Sequence, residues 1–136
     1  MAHELLSHTA DLRAAVIAPD LARLYQSAAD LVRDILVDGS PVEAREERTI
    51  ATASGDAGGD AERFFRFVRE LVFLYDAEGF LPARVASAGG PAPRVAGERF
   101  DPARHTSERA VKAVTRHGYR FERTPGGYRA ELLFDL

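Results

Sequence analysis

The residues best able to do chemistry in this 136-residue sequence are carboxylates near its two ends. Asp11 interrupts the polar side of an alternating apolar stretch, and Asp135 is followed directly by the terminal carboxylate of Leu136. Neighbouring negative groups repel each other, and a hard cation such as Ca²⁺ or Mg²⁺ prefers carboxylate and main-chain oxygens. Asp135 and the terminal carboxylate therefore predict an acidic cation site, and Asp11 is a separate candidate. The alternatives are a solvated chain end for Asp135 and a strand-edge charge or bulge for Asp11.

Basic side chains in the segment 108–122 form a second candidate site. Lys112 interrupts a pattern typical of a strand, and His117 stands where that pattern favours a hydrophobic residue. Either burial with a partner or a bulge near Gly118 that re-aims the ring accounts for the histidine. Lys112 can reach over a neighbouring strand towards an anion, and the alternative is a solvated lysine. His8 is the weakest candidate, because a lone histidine is more often a hydrogen-bonded structural residue.

Composition and motifs exclude several classes of protein. The sequence has no cysteine, which rules out disulfides and thiolate metal sites. It lacks the phosphate-binding loop, dinucleotide-binding, zinc-protease and nucleophile-elbow motifs. The net charge of −3 argues against a strong nonspecific nucleic-acid contact. No apolar run reaches the roughly 18–20 residues of a membrane span and no signal region stands at the N-terminus, so we expect a cytoplasmic protein without a membrane partner.

Periodicity and turn residues predict an α+β fold in a single domain over residues 1–136. The first helix begins after Asp20 and ends at Asp38-Gly39-Ser40-Pro41, and the second begins at Asp60 and ends at Gly79. The predicted extended segments cover residues 2–18, 47–53, 81–87, 94–100, 108–122 and 128–136. A turn at 125–127 joins the last two strands, and alternation along the last strand places Asp135 on its polar face.

The order of motifs along essentially the whole chain resembles the archease family. The motifs are His8-Thr9-Ala10-Asp11-Leu12, residues 21–29, Gly59-Asp60 leading into residues 70–75, Gly97-Glu98-Arg99-Phe100-Asp101, Val111-Lys112-Ala113-Val114-Thr115 with His117, and Phe134-Asp135-Leu136. The strand over 111–115 with its histidine and an aspartate next to the last residue are together much more specific than either feature alone. The resemblance implies duplicated strand-helix-strand-strand units, one embedded in the other, with two helices packed on an antiparallel or mixed sheet.

The resemblance also implies a divalent cation, Ca²⁺ or Mg²⁺/Mn²⁺, held where the two ends of the chain meet. It brings Asp11, Asp135 and an oxygen of Leu136 together as ligands. Asp38, at the end of the first helix, is then a further possible acidic neighbour. In this family pattern Leu136 replaces the usual terminal isoleucine or valine, which keeps a main-chain ligand intact.

Archeases act as partners of RtcB-type RNA ligases, which join RNA halves in tRNA splicing and RNA repair. The resemblance therefore implies a protein cofactor, and not an enzyme, that speeds guanylylation of the ligase and allows multiple turnover. Lys112 and His117 then line the rim of the acidic site and face the partner or a phosphate, together with His8. The sequence departs from the family at Arg116, which replaces an aromatic residue, and at Arg13, which replaces a small one.

Two other classes of function stay open on the sequence. One is a chaperone-like interaction module, in which the carboxylates only stabilise the fold. The other is a small metal-dependent hydrolase. The hydrolase is disfavoured because no pair of general base and nucleophile is visible beyond His8 or His117.

Overall fold

The computed structural model describes residues 11–52 and 59–136, which form two helices and seven strands. The helices are α1 (Leu21–Val37) and α2 (Gly59–Glu78). The strands are β1 (Asp11–Ala18), β2 (Glu46–Thr49), β3 (Phe80–Ser87), β4 (Arg94–Arg99), β5 (Ala113–Val114), β6 (Arg120–Thr124) and β7 (Gly127–Asp135). The predicted α+β class is confirmed. Of the extended segment predicted over 2–18, residues 11–18 form β1, and the rest lies outside the described residues.

The strands form two antiparallel sheets with equivalent strand orders. In the first sheet β7 is central, with β1 along one edge and both β5 and β6 along the other. In the second sheet β4 is central, between β2 and β3. The unit β2-α2-β3-β4 is embedded in the outer unit made of β1, α1, β5, β6 and β7, and the last strand of each unit is the central one. The predicted duplication is confirmed, and every strand pairing in the described residues is antiparallel.

Helix α1 begins and ends at the residues that the sequence predicts. The side chain of Asp20 accepts a hydrogen bond of 2.8 Å from the N–H of Arg23, which satisfies one of the free donors at the helix start. Leu24 and Ile35 lie on the apolar side of the helix and are buried. Asp38 ends the helix in the left-handed conformation, with φ 42°, which aspartate adopts more readily than most residues.

Helix α2 supplies three buried phenylalanines to the aromatic core. Phe64, Phe65 and Phe67 are buried, and the ring centroid of Tyr25 in α1 lies 5.3 Å from that of Phe64 and 4.6 Å from that of Phe67. Gly79 ends α2 with φ 72°, as predicted. One hydrophobic cluster joins both helices to both sheets. Neither described helix has the combination of length and apolar character that crossing a membrane requires.

The predicted continuous strand over 108–122 is wrong. The structure divides it into β5 and β6, which both pair with β7, and the loop over residues 115–119 lies between them. In this 115–119 loop the hydroxyl of Thr115 donates to the carbonyl of His117 at 2.9 Å, and the N–H of Tyr119 donates to the carbonyl of Arg116 at 3.1 Å. Local hydrogen bonds therefore replace the strand ladder. Gly118, with φ 83°, adopts the left-handed conformation of the turn in this loop, after which β6 continues along β7 in the same direction as β5.

Candidate functional site

The two carboxylates from the ends of the sequence face each other across β1 and β7. Asp11 is the register partner of Asp135, and residues directly opposite in an antiparallel pair project from the same face, with Cβ atoms about 4.5–5.5 Å apart. That face is the outer one, because the alternating residues Leu132 and Phe134 are buried in the core. Asp11 is exposed and Asp135 is half-buried. The structure thus brings these two aspartates, here called the aspartate pair, together at one end of the first sheet.

The aspartate pair differs from the other carboxylate on the same face in how its charge is compensated. Among the described residues neither aspartate forms an ion pair, whereas Glu131 lies 2.5 Å from Arg129 and 3.9 Å from Arg13. The hydrogen bond from Arg129 lowers the pKa of the Glu131 carboxyl group. Like charges directly opposite on a sheet are destabilising. The pair therefore gains from a cation that the described part of the chain does not itself supply.

The donor chemistry of the aspartate pair fits a hard divalent cation. Two carboxylates and the main-chain oxygen of Leu136, one residue beyond Asp135, are oxygen ligands of the kind that Ca²⁺ and Mg²⁺ prefer. No group of three His, Cys, Asp or Glu side chains is placed to hold a metal within residues 11–52 and 59–136. A cation here would thus take two described side chains and complete its shell with main-chain oxygens and water, as Mg²⁺ commonly does.

Asp38 follows the last residue of α1. It lines a cavity of ≈ 220 Å³ at the end of α1, together with Asp34, Ile35, Glu108 and Arg109. The N–H of Glu108 donates to the carbonyl of Leu36 at 2.9 Å, which holds this segment against the end of the helix. Among the described residues Asp38 does not join the aspartate pair in a group of three carboxylates. The place of Asp38 as a further acidic neighbour of the pair, which the resemblance implies, stays a prediction.

Lys112 connects the aspartate pair with α2. Its N–H donates to the carbonyl of Asp135 at 2.7 Å, and the next residue, Ala113, is the register partner of Asp135. The exposed side chain of Lys112 lines a cavity that it shares with Arg69 and Phe73 of α2. The backbone of the lysine thus lies at the aspartate pair, while its side chain borders α2. Its role towards a partner or a phosphate stays a prediction.

His117 is exposed in the 115–119 loop, so burial with a partner does not account for it, and the structure has a turn at Gly118 in place of the predicted bulge. A Cβ added to Gly118 would lie 3.6 Å from Cδ2 of Leu133. Leu133 precedes Asp135 by two residues on the same face of β7. The 115–119 loop therefore borders the face that carries the aspartate pair. His8, the remaining candidate, lies outside the described residues.

Arg116 connects the 115–119 loop to α2. Its guanidinium donates to both carboxylate oxygens of Glu62, at 2.7 and 2.6 Å, and lies 4.3 Å from the ring centroid of Phe65. The hydrogen bonds from Arg116, opposed by partial burial and supported by Arg66, lower the pKa of Glu62 to about 2. The guanidinium of Arg116 is therefore held by contacts with Glu62 and Phe65 of the same chain.

Glu98 is a buried carboxylate whose role sequence reasoning missed. It is 3% exposed, and Arg104 donates to both its oxygens, at 3.0 and 2.5 Å. Nε2 of His105 lies 3.1 Å away, the N–H of Glu43 donates at 2.7 Å, and Nε of Arg45 lies at 3.2 Å. The hydrogen bonds from Arg104, opposed by burial and supported by the Glu43 N–H, lower the pKa of Glu98 to about 2. These five residues are called the Glu98 cluster.

The Glu98 cluster fixes the start of the segment that leads to Lys112. Nδ1 of His105 accepts a hydrogen bond of 2.9 Å from the N–H of Asp101, so Nε2 carries the proton that points to Glu98. Both ring nitrogens are therefore used, and residues 101–105 close into a compact loop. The sequence signal that could have indicated the role of Glu98 is its position directly after the run Val95-Ala96-Gly97, which the structure buries.

Comparison with known proteins identifies the relatives of this chain. Residues 3–136 match the model of the Archease protein family (MTH1598/TM1083). The chain is 33% identical to the protein archease of Methanopyrus kandleri over 100% of both chains, and 29% identical to that of Pyrococcus furiosus over 98% of this chain and 97% of the relative.

Solved structures support the same fold. A crystal structure described as an archease and possible chaperone from Thermotoga maritima matches with a TM-score of 0.72 and 18% identity, over 100% of this chain and 98% of the other. The solution structure of Methanobacterium thermoautotrophicum protein 1598 matches with a TM-score of 0.64 and 24% identity, over 93% and 91%. At these identities the two structures establish the fold alone.

Proposed function

We propose, from the premise that this chain belongs to the archease family, that it activates an RtcB-type RNA ligase. In this role the protein promotes guanylylation of the ligase and its multiple turnover, in tRNA splicing or RNA repair, and is not itself an enzyme. The observation that carries the proposal is the pairing of Asp11 with Asp135 on the outer face of the first sheet.

In this function some residues of the chain would hold the cation and another would contact the partner. Asp11, Asp135 and the main-chain oxygen of Leu136 would hold Ca²⁺ or Mg²⁺/Mn²⁺. Such a cation, when bound, supplies positive charge that stabilises negative charge developing on phosphate oxygens. Lys112, whose backbone lies at the pair and whose side chain borders α2, carries a compact ammonium that suits contact with a phosphate or with an acidic surface of the ligase.

A chaperone-like interaction module is the second candidate function. It is favoured by the description of the Thermotoga maritima relative as a possible chaperone. In that function the aspartate pair would only stabilise the fold, and its charge would not be needed for an effect on a ligase. The two candidates therefore predict different consequences of neutralising the pair.

A guanylylation assay separates these functions. The chain is titrated into the RtcB-type ligase of the same organism with labelled GTP, and the rate of covalent labelling of the ligase is measured. We expect the wild-type chain to accelerate labelling, Asp11→Asn and Asp135→Asn to lose the effect, and Glu122→Gln, an exposed carboxylate on β6, to retain it. No acceleration by the wild-type chain would refute the proposal. Acceleration that survives both aspartate variants would favour the interaction module.

A further inference from the structure

Helix α2 leaves one large apolar side chain exposed to water. Phe73 is 57% exposed, although the preceding residue, Val72, is buried. Ile17 of β1, at 69%, is the other large hydrophobic residue exposed in the described part of the chain. Single exposed apolar side chains are common on protein surfaces and indicate little by themselves. Phe73 carries more information because it also lines a cavity.

This cavity lies between α2 and β5, the short strand along one edge of the first sheet, and is called the α2–β5 cavity. Its volume is ≈ 230 Å³, which is enough for a single apolar side chain. The apolar part of its lining consists of Val72, Phe73, Ala113 and Val114. Because Val72 and Val114 are already buried, the core closes the base of the cavity, and Phe73 forms an exposed wall.

Charge around the α2–β5 cavity favours an anionic neighbour for that side chain. Its charged lining residues are Arg69, Lys112 and Asp76, which leaves one positive charge in excess. Within residues 11–52 and 59–136 neither Arg69 nor Lys112 forms an ion pair, in contrast to Arg104 with its two oxygens of Glu98. The guanidinium of Arg69 lies 5.6 Å from the ring centroid of Phe65, a contact that leaves its charge uncompensated.

The α2–β5 cavity is also linked to the candidate site through the backbone of the first sheet. Ala113 lines the cavity and is the register partner of Asp135, and the N–H of Lys112 binds the carbonyl of Asp135. The cavity and Asp135 therefore lie on neighbouring strands, which the backbone of Lys112 connects.

We propose that the α2–β5 cavity docks the ligase by taking an apolar side chain whose sequence neighbour in the ligase is Asp or Glu. This inference rests on the proposed function and adds the surface through which the partner binds. A protein segment is favoured over RNA, because burial of an apolar side chain against the apolar lining is favourable, whereas a phosphate group would contact only Arg69 and Lys112.

The test measures the dissociation constant between the chain and the RtcB-type ligase by calorimetry, together with the guanylylation rate. The variants Phe73→Ser and Arg69→Glu change the cavity. Their matched controls are Ile17→Ser, an equally exposed apolar residue on β1, and Arg99→Glu, an exposed arginine on β4. Because all four positions are exposed, we expect the variants to fold, and circular dichroism verifies this.

We expect each cavity variant to weaken binding at least tenfold and both controls to stay within twofold. Asp11→Asn should bind normally but fail to accelerate guanylylation, which separates docking from activation. If the wild-type chain neither binds nor accelerates the ligase, the proposed function and the docking inference both fail. If the wild-type chain activates the ligase and Phe73→Ser binds equally well, only the docking inference is overturned. Loss confined to Arg69→Glu would indicate a purely electrostatic contact and would overturn it as well.

Discussion

Replacing Glu98 with glutamine tests whether one buried carboxylate holds two loops against the second sheet. Glu98→Gln nearly keeps the shape of the side chain but removes the charge that Arg104 and Arg45 contact. Folding lowers the pKa of Glu98 from 4.5 to about 2, chiefly through Arg104. At about 1.4 kcal/mol per pKa unit, this difference corresponds to about 3 kcal/mol of unfolding free energy. That is a large share of the roughly 5–15 kcal/mol typical of a folded domain.

The sign of the effect gives the Glu98 prediction its pH dependence. A carboxyl group whose pKa is lowered by folding contributes stability that is present above its unfolded pKa and is lost as the pH falls through its folded pKa. For Glu98 that window runs from 4.5 down to about 2. The wild-type chain should lose this contribution across the window, whereas Glu98→Gln should lack it at every pH.

Urea unfolding followed by circular dichroism, at neutral pH and at several acidic pH values, measures both effects. At neutral pH Glu98→Gln should unfold with about 3 kcal/mol less free energy than wild type, and the two curves should converge as the pH falls. Glu47→Gln is the matched control, because this exposed carboxylate makes one ion pair with Arg94 at 3.3 Å and should cost less than about 1 kcal/mol. A Glu98→Gln variant that matches wild type at neutral pH, or that keeps the acid dependence of wild type, would refute the reasoning.

Substitutions at four further positions separate folding from function. Phe67→Ala should lower the unfolding free energy by about 3–5 kcal/mol, because this ring is buried. Asp135→Asn in metal-free buffer should leave the Tm nearly unchanged. An equal loss of stability in both variants would show that the carboxylate of Asp135 is structural. Arg116→Ala should raise the pKa of Glu62 from about 2 towards its ordinary value, and an unchanged carboxyl titration by NMR would contradict the ion pair. Lys112→Ala should fold normally yet fail to accelerate guanylylation. Partial rescue by Lys112→Arg would indicate an electrostatic role, and full activity of Lys112→Ala would leave an ordinary solvated lysine.

Local signals explain why the helices could be predicted from the sequence. The cap at Asp20 and the glycine at position 79 act on their own helix ends, so neighbouring residues suffice to locate them. The same holds for the hairpin turn before β7, where Thr124 pairs with Gly127 across a two-residue loop.

Long-range contacts explain why other features escaped prediction. The strand over 108–122 is interrupted at the segment where Arg116 binds Glu62, a residue far away in the chain, and periodicity carries no trace of that contact. The Glu98 cluster and the exposure of Phe73 likewise depend on which elements pack together. The pairing of Asp11 with Asp135 joins the two ends of the chain, and only the family resemblance implied that they meet.

Calorimetric titration of Ca²⁺ and of Mg²⁺ into the metal-free chain tests directly whether Asp11 and Asp135 hold a divalent cation. We expect the wild-type chain to bind the cation. The affinity should fall at least tenfold in Asp11→Asn and in Asp135→Asn, because each variant removes one of two facing carboxylates. Glu122→Gln, on the neighbouring strand β6, should bind like wild type. Equal affinity of the wild-type chain and both aspartate variants, or no binding by the wild-type chain, would contradict the account.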